Sequence, residues 1–123
     1  MKKGTYVDGF VLAIPKKNTA AYKKMAKEAS RVWRKYGALE YMECMGDDLK
    51  LKGMPGVPFP KLAKAKKGEV VWFSFVVYKS KKDRDAVNKK VMKYFEKKYK
   101  KDMPMPFDMK RMSYGGFKVA VSA

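Results

Sequence analysis

Apolar positions recur along this chain with two periods, and the densest run is Glu69-Val-Val-Trp-Phe-Ser-Phe-Val-Val-Tyr-Lys79. A period of two puts Val70, Trp72, Ser74, Val76 and Tyr78 on one face, and Val71, Phe73, Phe75 and Val77 on the other. A strand apolar on both faces is predicted to be central, covered above and below. Residues 4–14 repeat the pattern and stop at Pro15. Tyr6, Phe10, Leu12 and Ile14 share a face with Asp8, and Val7, Val11 and Ala13 share the other with Gly9. A carboxylate in such a strand is costly unless it is paired or lines a cavity. Residues 38–46 and 111–121 alternate more weakly and read as two further strands. The Gly115-Gly116 pair in the last one suggests a bulge or a close backbone contact.

A period near 3.6 governs two other segments. Tyr22, Met25, Ala26, Ala29, Val32, Trp33 and Tyr36 form the apolar stripe of a helix capped at Asn18 or Thr19 and stopped at Gly37. Ala86, Val87, the Lys90 stem, Val91, Tyr94 and Phe95 mark a second helix, begun by Ser80 and running to about Lys98. Residues 47–67, with Gly53-Met-Pro-Gly-Val-Pro-Phe-Pro60 at their centre, read as a long loop with a short helical turn near Lys61–Lys66. Loops of this length are often functional.

The order β-α-β-β-α-β predicts an α+β, ferredoxin-like domain over residues 1–123, with a four-stranded antiparallel sheet and both helices on one face. The second apolar face then lacks a cover within the chain. A homodimer packed sheet face to sheet face, the dimeric α+β barrel, is the expected solution.

Composition sharpens this picture. The 123 residues carry 30 Lys+Arg against 12 Asp+Glu, a formal charge of +18. Only Arg31, Arg34, Arg84 and Arg111 are arginine. Nonspecific association with polyanions, nucleic acid included, is expected from this balance. The aromatics fall on the buried stripes rather than among the lysines, which argues against a stacking platform for single strands. Scarce arginine argues against base readout. Histidine is absent and Cys44 is the one cysteine. The commonest general base and metal ligand are thus missing, and no intrachain disulfide can form. No metal or cofactor is expected. No apolar run is long enough for a membrane helix, and a cytoplasmic protein without membrane insertion is the default reading.

Four stretches carry a resemblance: residues 6–18, residues 36–48 (Tyr-Gly-Ala-Leu-Glu-Tyr-Met-Glu-Cys-Met-Gly-Asp-Asp), residues 76–92, and residues 105–118 (Met-Pro-Phe-Asp-Met-Lys-Arg-Met-Ser-Tyr-Gly-Gly-Phe-Lys). Together they resemble the YbaA-like family of small bacterial proteins of unknown function. The resemblance implies the dimeric α+β barrel, a fold also used by small monooxygenases, dismutase-like haem proteins and isomerases; fold alone does not fix function. This chain departs from the family in two ways. Tyr36 stands where relatives usually have His, and the lysine-dominated surface, unlike the mixed charge of relatives, looks engineered or supercharged.

The candidate pocket residues are Asp8, Trp33, Tyr36, Glu43, Trp72 and Arg111, placed between sheet and helices. Asp8, Glu40 and Glu43 are strand carboxylates able to handle a proton in a cavity; the ordinary alternative is pairing with Arg111 or a lysine, or exposure at a sheet edge. Trp33, Trp72, Tyr41, Tyr78 and Tyr114 can line an aromatic pocket or simply pack. Cys44 without a histidine reads as a small buried hydrophobe, and Asp47-Asp48 as a turn rather than a metal site. No catalytic residue is assigned. Three functions remain: a cationic homodimer that gathers polyanions, a small-molecule binder or monooxygenase-like enzyme, and a nucleic-acid-binding protein.

Overall fold

The computed structural model describes residues 4–99 and 105–123. The chain runs β1 (Tyr6–Pro15), α1 (Thr19–Lys35), β2 (Glu40–Met45), the short α2 (Phe59–Leu62), β3 (Glu69–Tyr78), α3 (Lys81–Tyr99) and β4 (Ser113–Lys118). The sheet order is β2-β3-β1-β4, and every pairing is antiparallel. The ferredoxin-like α+β plan is therefore the observed one. The two strands apolar on both faces, β1 and β3, are central, and the weakly alternating β2 and β4 are the edges.

Register fixes which side chains meet. Asp8 pairs with Val76 and Val76 with Tyr41, so these three lie in one row across the sheet. Phe10, Ser74 and Glu43 lie in the next row. Because the strand period is two, both rows point to the helical side.

The helical side carries two apolar clusters. Val32, Ala38, Val76, Tyr78, Val87 and Val91 form the one under α3. Leu12, Ile14, Tyr22, Ala26 and Trp72 form the one under α1. Helix α1 buries Tyr22, Ala26 and Val32 from its predicted stripe. Gly37, at φ +123°, turns the chain out of α1, a conformation that a side chain would strain. Asn18 makes no capping bond; its amide donates instead to the Pro106 carbonyl at 2.9 Å. Ser80 does cap α3, accepting from the Asp83 amide at 3.1 Å. On α3, Val87 and Val91 are buried, whereas Ala86 and Lys90 are exposed, so its buried stripe is narrower than its sequence suggests.

The opposite face is only partly open. Ala63 and Leu49, from the 47–67 loop, pack on Val71 and Ala13 and bury that end from within the chain. The expectation that nothing in the chain covers this face is corrected there. Elsewhere it is bare: Met42 and Phe73 are nearly half exposed, and Phe117 more so. Cys44 lies on this bare face and is exposed, not the buried hydrophobe its pattern suggests, because β2 is an edge strand. In β4 the predicted bulge is absent; the register runs unbroken through Gly115 and Gly116. Gly116 provides the close contact instead, since a Cβ there would clash with the hydroxyl end of Tyr6. Among the described residues no helix is long and apolar enough to cross a membrane.

Candidate functional site

A cavity of about 360 Å³ lies between the sheet and α1. Its floor is Phe10, Leu12, Ser74 and Val76 from the two central strands, with Tyr41 and Glu43 from β2. Helix α1 supplies the roof through Tyr22, Met25, Ala26, Ala29 and Trp33. Met92 and Phe95 of α3 and Phe107 and Met112 of the following connection close the sides. Met92 and Met109 are more than half exposed and mark the rim. The size is that of a small-ligand pocket, and its walls are apolar almost throughout.

Glu43 is the exception. Among the described residues that line the cavity, it is the one side chain with an ionisable carboxyl or amine. The Tyr22 hydroxyl donates to its Oε1 at 2.8 Å, and the Tyr41 hydroxyl donates to its Oε2 at 2.7 Å. Each carboxyl oxygen is thus held by a different element. Among the described residues no lysine or arginine pairs with it. Burial pushes its carboxyl up from the ordinary value, against the downward pull of hydrogen bonds from Tyr41, Tyr22 and Ser74. Burial and the adjacent Glu43 charge likewise push both phenols above their usual value. The tyrosines therefore stay protonated and act as donors, and the carboxyl is the group able to take or release a proton.

Asp8, one row away, has the opposite surroundings. Arg84 donates to its Oδ1 at 2.7 Å and the Asn88 amide approaches its Oδ2 at 3.4 Å. Arg84 also bonds Asp85 at 2.8 Å, and its guanidinium lies 4.9 Å from the Tyr6 ring centre. Asn88 accepts from Tyr78 at 2.8 Å and from the Trp33 indole at 3.1 Å. Trp33 thus has one edge in a polar lock and one face in the cavity.

The structure separates the six residues named from sequence. Trp33 and Glu43 line the cavity; Asp8 lies beside it, tied into the lock. Trp72 is buried under Tyr22, ring centres 4.9 Å apart, with its indole nitrogen unpartnered, and does not reach the cavity. Tyr36 lies outside it, in a surface recess among Lys90, Lys93 and Lys97. Arg111 is also outside it, gripping Glu69 with two bonds of 2.7 Å and Asp108 with one of 3.0 Å. That grip holds the Glu69 carboxyl at about 2.

Tyr22, Arg84 and Asn88 were missed. Tyr22 reads from sequence only as part of a helix stripe. Arg84 did carry a signal, as an arginine in a chain that otherwise uses lysine, for arginine forms the planar, multidentate pairs that buried carboxylates require. Among the described residues no group of three or more His, Cys, Asp or Glu could hold a metal ion. Asp48 pairs with Lys52 at 2.9 Å on the surface.

The fold and cavity define a class: a ferredoxin-like α+β domain with an apolar chamber walled in part by a half-buried carboxyl. Its architecture matches a crystal structure of a dimeric ferredoxin-like protein from an uncultured marine organism, with TM-score 0.54 and 11% identity, covering 97% of this chain and 99% of that one. Residues 5–109 match the family described as "Protein of unknown function (DUF1428)", and the chain belongs to that family. It is 42% identical over 112 residues to the uncharacterized protein YbaA of Escherichia coli strain K12, covering 91% of this chain and 93% of the relative. The Shigella flexneri protein of the same description matches equally.

Proposed function

We propose that this protein binds a small, largely apolar molecule in the chamber between sheet and α1, with Glu43 as its polar anchor and proton-exchanging group. One observation carries the reading: a carboxyl without a cationic partner among the described residues is held by two tyrosines at the wall of an otherwise apolar cavity. Native proteins rarely leave such a group where packing alone would serve. Acid–base chemistry is what the site offers, with the carboxyl raised toward the range where it exchanges protons usefully. The neutral fluorophore N-phenyl-1-naphthylamine tests the chamber. Its emission should rise on binding, and Ala29→Trp, which fills the roof, should abolish the rise while leaving the circular dichroism spectrum intact. No rise, or a rise unaffected by the tryptophan, would overturn the reading.

Two copies are proposed to pack through the bare part of the outer sheet face. The exposure of Met42, Phe73 and Phe117 supports this, as does the dimeric description of the structural neighbour. Sedimentation equilibrium should return twice 14.2 kDa at moderate and high salt. Phe73→Lys should halve the mass, by burying a charge at the centre of the interface.

The charge of +18 supports a second, independent property: salt-sensitive, sequence-blind association with polyanions through a lysine surface that reads as engineered onto the family core. Elution from immobilised DNA should shift steeply with salt and show no preference among sequences. A strong sequence preference would instead favour a nucleic-acid-binding protein.

A further inference from the structure

Among the described residues, Glu43 is an acceptor whose charge is left unbalanced. Its two oxygens take hydrogen bonds from Tyr22 and Tyr41, both uncharged. The remaining described groups around it are the Ser74 hydroxyl and apolar side chains. A carboxylate can accept about four hydrogen bonds, so capacity remains on the cavity side. The other strand carboxylate on this face, Asp8, has its cation from within the chain, through Arg84 at 2.7 Å. The cavity also has aromatic walls, with Phe10, Tyr22, Trp33, Tyr41, Phe95 and Phe107 around the space that Glu43 faces.

Building on the chamber as the binding site, we infer that its ligand is a lipophilic amine, bound as the ammonium ion with its charge on Glu43 and its apolar body against the aromatic and methionine walls. An ammonium supplies the missing countercharge and donates to the unused lone pairs. Aromatic faces favour a cation over a neutral group of the same shape. An anionic ligand would place like charge beside Glu43 and is disfavoured. A neutral alcohol fits the space but forms weaker, uncharged bonds. Methionine side chains let the walls adapt to the apolar body.

The surface charge does not reverse this preference. The lysines of α1, Lys23, Lys24, Lys27 and Lys35, are exposed to solvent. Water and salt around these exposed heads weaken their repulsion toward a cation in the cavity. Glu43 is in direct contact with the ligand and is not screened.

Three compounds of one shape test the inference: 2-phenylethylamine, 2-phenylethanol and phenylacetate, titrated by calorimetry at neutral pH and moderate salt. The amine should bind at least about tenfold more tightly than the alcohol, and phenylacetate should not bind. Glu43→Gln should remove the amine's advantage while leaving the alcohol's affinity within about twofold, which also shows that the cavity is intact. Equal affinity for amine and alcohol, preference for the acid, or an amine advantage that survives Glu43→Gln would overturn the ligand class and leave the chamber standing. Failure of all three compounds while N-phenyl-1-naphthylamine still binds would do the same. Failure of the fluorophore as well would remove the chamber itself, and the inference with it.

Discussion

Asp8 and Glu43 occupy neighbouring rows on the same face of the same sheet, and their surroundings could hardly differ more. Asp8 is buried against Arg84 and joined through Asn88 to Tyr78 and Trp33. Its bonds end on groups that the fold already holds in place, so it acts as a structural pin between β1 and α3. Glu43 is held by two phenols and faces a cavity. The difference teaches where chemistry can reside. A buried carboxylate matched by arginine has spent its charge on the fold; one matched only by neutral donors keeps it available to something else.

The contrast is most exposed at Arg84. Arg84→Met keeps much of the contact with Tyr6 but strands Asp8, and should lower the unfolding free energy by roughly 3 kcal/mol in urea titrations. A loss below about 1 kcal/mol would mean that Asp8 is not pinned. Tyr41→Phe comes next. Removal of one donor should cost about 1 kcal/mol and move the Glu43 titration further up, because a bond that favours the charged form is gone. An unchanged titration would show that the tyrosine does not hold the carboxylate.

The smallest effect on stability, and the most informative in sign, is that of Glu43→Gln. The folded-state value of Glu43 is raised above its unfolded one, so the folded chain binds the proton more tightly. No penalty exists below the unfolded value; the penalty grows as pH rises toward the folded value and is full above it. The variant should lie within about 1 kcal/mol of the parent at neutral pH and gain on it as pH climbs from acid. Glu69 gives the reverse limb. Its value is lowered to about 2 by Arg111, so its contribution is present above the unfolded value and fades as pH falls toward 2. Arg111→Met should flatten that acid limb, together with the part that Asp108, also held low by Arg111, adds to it.

Much of the fold was legible because period and register speak directly. The run Val70–Tyr78 could be only a central strand, and the stripe from Tyr22 to Tyr36 only a helix on it. The cover over Val71 and Ala13 was not legible, since a Gly- and Pro-rich loop has no period to show that Ala63 packs back on the sheet. The site was half legible. A carboxylate alternating with apolar neighbours flagged both Asp8 and Glu43, but Arg84 and Asn88 arrive from α3 and Tyr22 from α1, and no local pattern says which carboxylate receives the arginine. Tyr36, Trp72 and Arg111 were grouped with them by residue type alone. Three-dimensional placement sends the first to a surface recess, the third to its pairing with Glu69 and the second beneath Tyr22.

The central claim is that Glu43 is a half-buried carboxyl with no cation of its own among the described residues, and a pH titration of its side-chain carboxyl by carbon-13 NMR tests it most directly. The expected result is a midpoint above the ordinary carboxylate value, while Glu69 in the same spectrum titrates near 2. A Glu43 midpoint at or below the ordinary value would reveal a cationic partner or free access to water, and would contradict the account.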